Sequence, residues 1–345
     1  MLDTDYAFLS GYLKGEESKI LDVSRLSGLA HNARIQDLLN AIDATDIGSF
    51  LDNVTIEAFS DIDRHLWAYL NDCSRDLELL RGIPADVVKL NRAYMFKYDI
   101  INIKSAIRRI YLRQNSEIIP IGLFSWYGFL DELEKASDIS SIVEIMRNFG
   151  FQEYAWILRN MRPEASMREV RTVEREMENM YFFDIINLSD KVPEGELLKR
   201  VFGIIVDMIN LSIAFRLSFG LNPRGFIPFL ENGYMISMDM ANELSSATIR
   251  DLPGMLTGSP YKNIADEIIS AYEADRNIMT IDRVVEKNKI RILSEMLSPR
   301  VMSPVVVIWY LVLKESELRN LRILSKAVFD GIPASEVKEY LVTAS

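Results

Sequence analysis

Few residues in this chain have the types and spacing that chemistry requires. Only two of 345 residues are histidine, His31 and His65, and only one is cysteine, Cys73. Neither histidine stands in a Glu-x-x-His or His-x-x-x-His frame, so zinc and di-iron sites are poorly supported. Cys73 has no nucleophile signature around it and reads as an ordinary helix residue. A glycine-rich phosphate loop followed by Lys-Ser/Thr does not occur, which argues against a Walker-type nucleotide site. Asp61 and Asp63 are two residues apart and point in different directions on a helix, unlike the dense aspartate clusters that hold magnesium. The sequence therefore predicts no catalytic, metal-binding or cofactor-binding residue.

What the chain does place with regularity is an acid. Asp99–Arg108 reads DIINIKSAIR, Asp207–Arg216 reads DMINLSIAFR and Glu317–Lys326 reads ELRNLRILSK. All three fit acid-x-x-Asn-[Ile/Leu], with a basic residue six places after the Asn. The acids are 108 and 110 residues apart. Three equal constellations are a poor reaction centre, which usually needs one asymmetric site. They point to a polar tie that the architecture uses three times.

The elements that must carry these residues are long helices. With Asp99 at 0° and about 100° per residue, Ile103, Ala106, Ile107 and Ile110 fall within about 80° of it. Asn102 lies at the edge of that stripe and Arg108 opposite. Asp207 keeps company with Leu211, Ala214 and Phe215, and Glu317 with Leu321, Leu324 and Val328. Each acid thus sits in the apolar stripe, where a carboxylate must accept strong hydrogen bonds or pair with a cation. The structural positions so assigned are Asp99, Asn102, Asp207, Asn210, Glu317 and Asn320. Arg108, Arg216 and Lys326 point the other way, as solvated charges or as contacts to another domain or a partner.

The repeat extends past the motif. A proline precedes each acid by 15, 14 and 13 residues, at Pro84, Pro193 and Pro304, where a helix's first turn tolerates it. Gly220 and Gly331 follow the second and third motifs, where a left-handed cap is wanted. Ile119-Pro120 has its echo in Ile227-Pro228. A weaker echo opens each unit: Thr45-Asp46-Ile47-Gly48, Ser137-Asp138-Ile139-Ser140 and Arg250-Asp251-Leu252-Pro253. A period near 110 means whole small domains rather than stacked hairpins. The reading is an all-α protein of three similar helical domains, 1–115, 116–223 and 224–345. Further helices are predicted over 5–26 with Asp3 or Thr4 as cap, and over 32–42, 61–80, 126–136, 167–188 and 262–297.

Composition bounds the partners. With 39 basic against 50 acidic residues the net charge is −11, which disfavours nucleic acid and anionic membrane surfaces. The triplet Arg108, Arg109, Arg113 reads as helix-surface charge. One cysteine excludes an internal disulfide framework and suits a reducing compartment. The opening MLDTDYAFLS lacks the basic and apolar regions of a signal peptide. The longest apolar run, Val305–Leu313, is nine residues against the roughly 20 that a spanning helix needs. Val201–Leu221 is interrupted by Asp207, Asn210 and Arg216, so no direct membrane span is expected.

The ordered series of motifs resembles the family of the C subunit of archaeal and bacterial A/V-type ATPases (ATP synthases), equivalent to the d subunit of eukaryotic V-ATPases. It runs from Tyr6-Ala7-Phe8 through Thr45-Asp46-x-Gly48, the acid-x-x-Asn helices and Ile119-Pro120-x-Gly122. It continues through Glu174-Arg175-Glu176 before Tyr181-Phe182 to Lys314–Arg322 and Gly331. Ile47 stands where the family usually carries Tyr. The resemblance implies a pseudo-threefold funnel and a non-catalytic central-stalk (rotor) role. Its mouth would receive the central shaft and its narrow side would rest on the membrane proteolipid ring. It implies one copy per complex, on the cytoplasmic side, peripheral to the membrane, coupling ATP turnover to proton or sodium transport. The alternative is an unrelated three-domain helical scaffold or adaptor.

Overall fold

The computed structural model describes residues 6–21, 34–52, 54–159, 161–162, 164–220 and 229–342. The expected cap at Asp3 or Thr4, His31 and the Ile227-Pro228 echo lie outside them. Every regular element among the described residues is helical, and none is a strand. In chain order they are α1 (Ala7–Glu17), α2 (Ile35–Ile42), α3 (Asp46–Leu51), α4 (Phe59–Leu79), α5 (Ala85–Leu112), α6 (Leu123–Tyr127), α7 (Leu130–Lys135), α8 (Ile139–Asn148) and α9 (Gln152–Arg159). Then follow α10 (Met167–Ser189), α11 (Gly195–Ser218), α12 (Met238–Ser246), α13 (Leu252–Met255), α14 (Tyr261–Asp275), α15 (Met279–Leu297), α16 (Val305–Asp330) and α17 (Ala334–Val337).

The helices group into two compact units. One comprises residues 1–92, 119–121 and 290–345, the other residues 93–118 and 122–289. In the first unit α16 is the axis of the core. All ten residues from Val305 to Lys314 are buried, and the helix packs against α1, α2 and α4. An apolar run that goes all round a helix has no solvated face to offer, so burial on every side follows. Pro304 caps its start and Gly331, at φ +69°, its end.

In the second unit α11 holds the same position, with Phe202, Ile204, Val206, Met208 and Leu211 buried and α10 and α12 packed on it. By length and hydropathy alone α11 qualifies as a membrane span, although three polar residues interrupt its apolar run. Its apolar surface goes into packing instead, and 61% of that window is buried within the protein. A rack of rings, Phe96, Phe124, Phe129, Phe149, Phe151 and Tyr154, packs the α5, α6 and α9 side of this unit. Phe96 and Phe151 are 4.1 Å apart centre to centre.

Two predicted helices are in fact broken. The one over 126–136 splits into α6 and α7 at Gly128, which turns left-handed at φ +81°. The one over 262–297 splits into α14 and α15 at Arg276, φ +55°. The physical reason for the second break is local capping. Asp275 accepts from Asn277 N–H at 2.9 Å and from the Thr280 hydroxyl at 2.7 Å, while Asn277 accepts from Met279 N–H at 3.0 Å. Side chains that bond nearby backbone compete with helix continuation. The first predicted helix is also shorter than expected, since α1 ends at Glu17.

Candidate functional site

The repeated acids are buried within the helices that carry them, and each has a defined set of donors. Asp207, at 0% exposure in the middle of α11, accepts from Met235 N–H at 2.7 Å, Ile236 N–H at 3.0 Å and the Tyr261 hydroxyl at 2.7 Å. Burial pushes its carboxyl above the usual range, opposed by the Tyr261 hydroxyl and the backbone donors. Asp99 on α5, also at 0%, accepts from Leu123 N–H at 2.7 Å and Phe124 N–H at 2.8 Å, the first residues of α6. A helix start offers unpaired N–H groups to an anion. Burial nonetheless pushes Asp99 up to about 8, with those two N–H bonds pulling it back.

Glu317 on α16 accepts from Leu21 N–H at 2.8 Å and from the Lys314 ammonium at 3.0 Å. Lys314 donates in turn to the Tyr69 hydroxyl at 2.8 Å, and both ionic side chains are only 1% exposed. So two of the acids are held by backbone and hydroxyl donors, and the third by a backbone N–H and a buried cation.

Glycine makes the first two contacts possible. A Cβ on Gly122 would stand 2.6 Å from Asp99 Oδ1, and one on Gly233 would stand 2.3 Å from Asp207 Oδ1 and 2.5 Å from the Ile236 carbonyl oxygen. Gly122 also has φ +105°, a conformation L side chains rarely adopt.

The asparagines supply a second tie. Asn210 donates to the Leu230 carbonyl at 2.8 Å and accepts from the Leu230 N–H at 2.8 Å. Asn320 does the same to Val342, at 2.7 and 2.9 Å. A side-chain amide thereby pairs with one backbone residue as a strand neighbour would. Asn102 is fully buried on α5.

The basic positions divide. Arg108 grips Glu174 of α10 through Nε at 2.6 Å and Nη2 at 2.8 Å, and Arg216 reaches Asp282 of α15 at 2.5 Å. Lys326, the third member of the sequence frame, pairs with Asp330 one turn along its own helix and lies over the Phe59 ring of α4, 5.3 Å from its centre, with no carboxylate on another helix among the described residues. Arg322, one turn earlier on α16, makes the helix-to-helix ion pair instead, to Asp63 of α4. A guanidinium fork suits a carboxylate better than an ammonium does. Arg109, read as surface charge, donates to the carbonyls of Leu133 and Ala136 at the end of α7.

The remaining candidates are ordinary. His65 Nδ1–H donates to the Asp61 carbonyl at 2.7 Å, and Asp61 caps α4 by accepting from Glu57 and Ala58 N–H. Burial pushes the Cys73 thiol up to about 11, away from thiolate chemistry. Among the described residues no group of three or more His, Cys, Asp or Glu side chains converges on a point. An open groove of about 560 Å³ runs along α8, lined by Ile139, Val143, Glu144, Arg147 and Arg159, and none of the repeated residues lines it.

Sequence reasoning noted Glu174 and Arg322 within motifs but missed their pairing, and it missed Asp282 and the role of Asp63. A usable signal was present, because Asp63, Glu174 and Asp282 lie 36, 33 and 35 residues ahead of Asp99, Asp207 and Glu317. It also missed Tyr261 and Gly233, and it quoted Gly122 without its contact to Asp99.

Comparison with known proteins gives the chain a family. Residues 9–340 match the profile of the ATP synthase (C/AC39) subunit family. The A-type ATP synthase C subunit of Methanocaldococcus jannaschii is 21% identical over 98% of this chain and 86% of its own length. The corresponding C subunit of Thermococcus onnurineus is 22% identical, covering 99% of this chain and 91% of the relative. That of Pyrococcus horikoshii is 25% identical, with 98% and 90% covered. With the match spanning nearly the whole length, this chain belongs to the ATP synthase (C/AC39) subunit family.

Proposed function

We propose that this chain is the non-catalytic central-stalk subunit of an A/V-type rotary ATPase or ATP synthase. In this reading it turns with the rotor, one copy per complex, between the central shaft subunits and the membrane proteolipid ring. Torque passes through it, coupling ATP turnover to proton or sodium transport. It sits on the cytoplasmic side, peripheral to the membrane, and has no reaction of its own. The observation that carries the reading is the family match over residues 9–340, together with relatives named as the C subunit of A-type ATP synthases.

The reading includes three similar helical domains, 1–115, 116–223 and 224–345, set as a pseudo-threefold funnel. Support comes from the motif helices α5, α11 and α16, each with an acid and an asparagine at matching places and an arginine that reaches another helix, at the matching place on α5 and α11 and one turn earlier on α16. The two compact units cut across these boundaries because α16, near the end of the chain, packs on α4, near its start. In this role Asp99, Asn102, Asp207, Asn210, Glu317 and Asn320 are structural ties rather than contacts to a partner.

The test is a pull-down of the chain, tagged at its own locus, from gently solubilised membranes, with copies counted by mass spectrometry. Recovery of ATPase head, shaft and proteolipid ring with one copy of this chain is expected. Recovery of soluble partners alone would overturn the reading and favour an adaptor.

A further inference from the structure

Each motif helix sends an arginine to a carboxylate on a helix distant in sequence, and these three contacts follow one rule; Arg92 of α5 also reaches Glu78, on the neighbouring α4. Arg108 of α5 reaches Glu174 of α10, Arg216 of α11 reaches Asp282 of α15, and Arg322 of α16 reaches Asp63 of α4. The partners are 66 residues apart in both of the first two pairs. In every pair the acid stands on the helix just ahead of a motif helix: α4 before α5, α10 before α11, α15 before α16. The first two arginines reach forward to the next such helix, and the last reaches back to the first.

These pairs differ from the ion pairs made within one helix; other helix-to-helix pairs are Arg92–Glu78 between α4 and α5, Lys287–Glu267 between α14 and α15, and Lys104–Glu178, which stands beside Arg108–Glu174 between α5 and α10. Lys262–Asp266, Arg291–Glu295 and Lys326–Asp330 each lie within one helix and fix no angle between helices. The three arginine pairs each join two helices distant in sequence. Two of the three carboxylates are partly withdrawn from water, Glu174 at 8% and Asp63 at 16% exposed, so salt screens those two pairs less than it does open pairs, while Asp282 is 38% exposed. Arg108 and Arg322 each present two donors, Nε and Nη2, which fixes orientation as well as distance. Arg322 also lies over the Trp67 ring, 4.5 Å from its centre.

We propose that these pairs are one clasp in three copies, each setting the angle between a motif helix and the helix ahead of the next, and that together they stiffen the chain against torque. The torque part rests on the rotor reading above. The buried acids and asparagines tie backbone segments to their own helices. The clasps, at the edge of water and between helices, control how far those helices swing.

The experiment is a charge swap: Arg108→Glu, Glu174→Arg and the two combined, with Arg322→Glu, Asp63→Arg and their combination as a matched set. On the isolated full chain, hydrogen exchange of amides in the two clasped helices is the first readout. Single reversals are expected to speed it about fivefold, the factor for roughly 1 kcal/mol, and each combination to restore most of it. The second readout is ions moved per ATP hydrolysed by the complete complex in vesicles. Single reversals are expected to lower this ratio by half or more, and the swaps to recover it. Arg108→Lys and Arg322→Lys keep the charge, lose the fork, and replace any reversal that fails to fold, with intermediate exchange expected.

Wild-type exchange in the singles, or swaps no better than singles, overturns the clasp. Restored exchange together with a transport ratio that never changes overturns the torque role. A wild-type chain that does not co-purify with the ATPase overturns the rotor reading and the torque role with it, while exchange on the isolated chain still decides the clasp.

Discussion

Truncating Asp207 to alanine removes the acceptor for three donors at once. Ile236 N–H and the Tyr261 hydroxyl belong to residues only 1% exposed, so no water replaces the carboxylate there. Met235 N–H is part-buried, and water reaches it more readily. A buried donor left without a partner costs about 1–3 kcal/mol. Against that, the substitution relieves the unfavourable burial of the carboxyl itself, whose ionisation burial already resists. The balance is a loss of about 2–4 kcal/mol, at the high end for a single substitution. Tyr261→Phe removes one donor and leaves the carboxylate its two backbone partners, so about 1 kcal/mol is expected. The two residues touch, so the double variant should lose clearly less than the two singles added together. The assay is urea unfolding followed through hydrogen exchange of α11 amides, which isolates this unit from the other. A shift of less than about 0.5 kcal/mol for Asp207→Ala, with Tyr261→Phe equally silent, would refute the reasoning that a buried three-way acceptor ties α11 to its neighbours.

Other expectations follow from the same contacts. Gly233→Ala forces a methyl group to 2.3 Å from Asp207 Oδ1 and 2.5 Å from the Ile236 carbonyl oxygen, and should cost about 2 kcal/mol or more by the same assay. Lys314→Ala leaves the Glu317 side chain buried without its cation, so a loss of about 3–5 kcal/mol in the first unit is expected from urea midpoints. Lys326→Ala, at an exposed pair within one helix, should change the midpoint by less than about 0.5 kcal/mol. Asp99 gives a pH signature of unusual sign. Its carboxyl is free to ionise near pH 4 when unfolded but is held up to about 8 when folded, so the native state keeps a proton that the unfolded state has lost. Stability of the second unit should therefore fall as pH rises across that window, by at most about 1.4 kcal/mol per pH unit from this group. Asp99→Asn should remove that slope, and a wild-type-minus-variant difference that is flat from pH 5 to 8 would count against it.

Much of this architecture was legible in the sequence, for reasons that can be named. Asp99, Asp207 and Glu317 stand out because a charged residue inside an apolar helical stripe breaks a period that is otherwise regular, and the same break recurs twice more. Helix ends were legible where proline or glycine punctuates them, as at Pro304 and Gly331. They were missed where a turn is made by a residue with no preference for it, as at Arg276, whose left-handed turn depends on Asp275 and Asn277 capping the next helix. The partners of the acids were illegible because a backbone N–H carries no sequence signal. Leu123, Phe124, Met235 and Ile236 are chosen by position, and only Gly122 and Gly233 mark the close approach. The repeat aligns Lys326 with Arg108 and Arg216, yet its ion pair is local, to Asp330 on its own helix. Arg322, one turn away, meets Asp63 with the fork that the carboxylate suits, which no fixed-offset reading of the motif anticipates.

If this chain carries torque between shaft and ring, its removal should separate ATP hydrolysis from ATP-driven ion uptake, and both can be followed in membrane vesicles made with and without it. Vesicles lacking it are predicted to hydrolyse ATP through the remaining head while ion uptake falls to background, with uptake restored when the purified chain is added back. Ion uptake that continues undiminished in its absence would contradict the account.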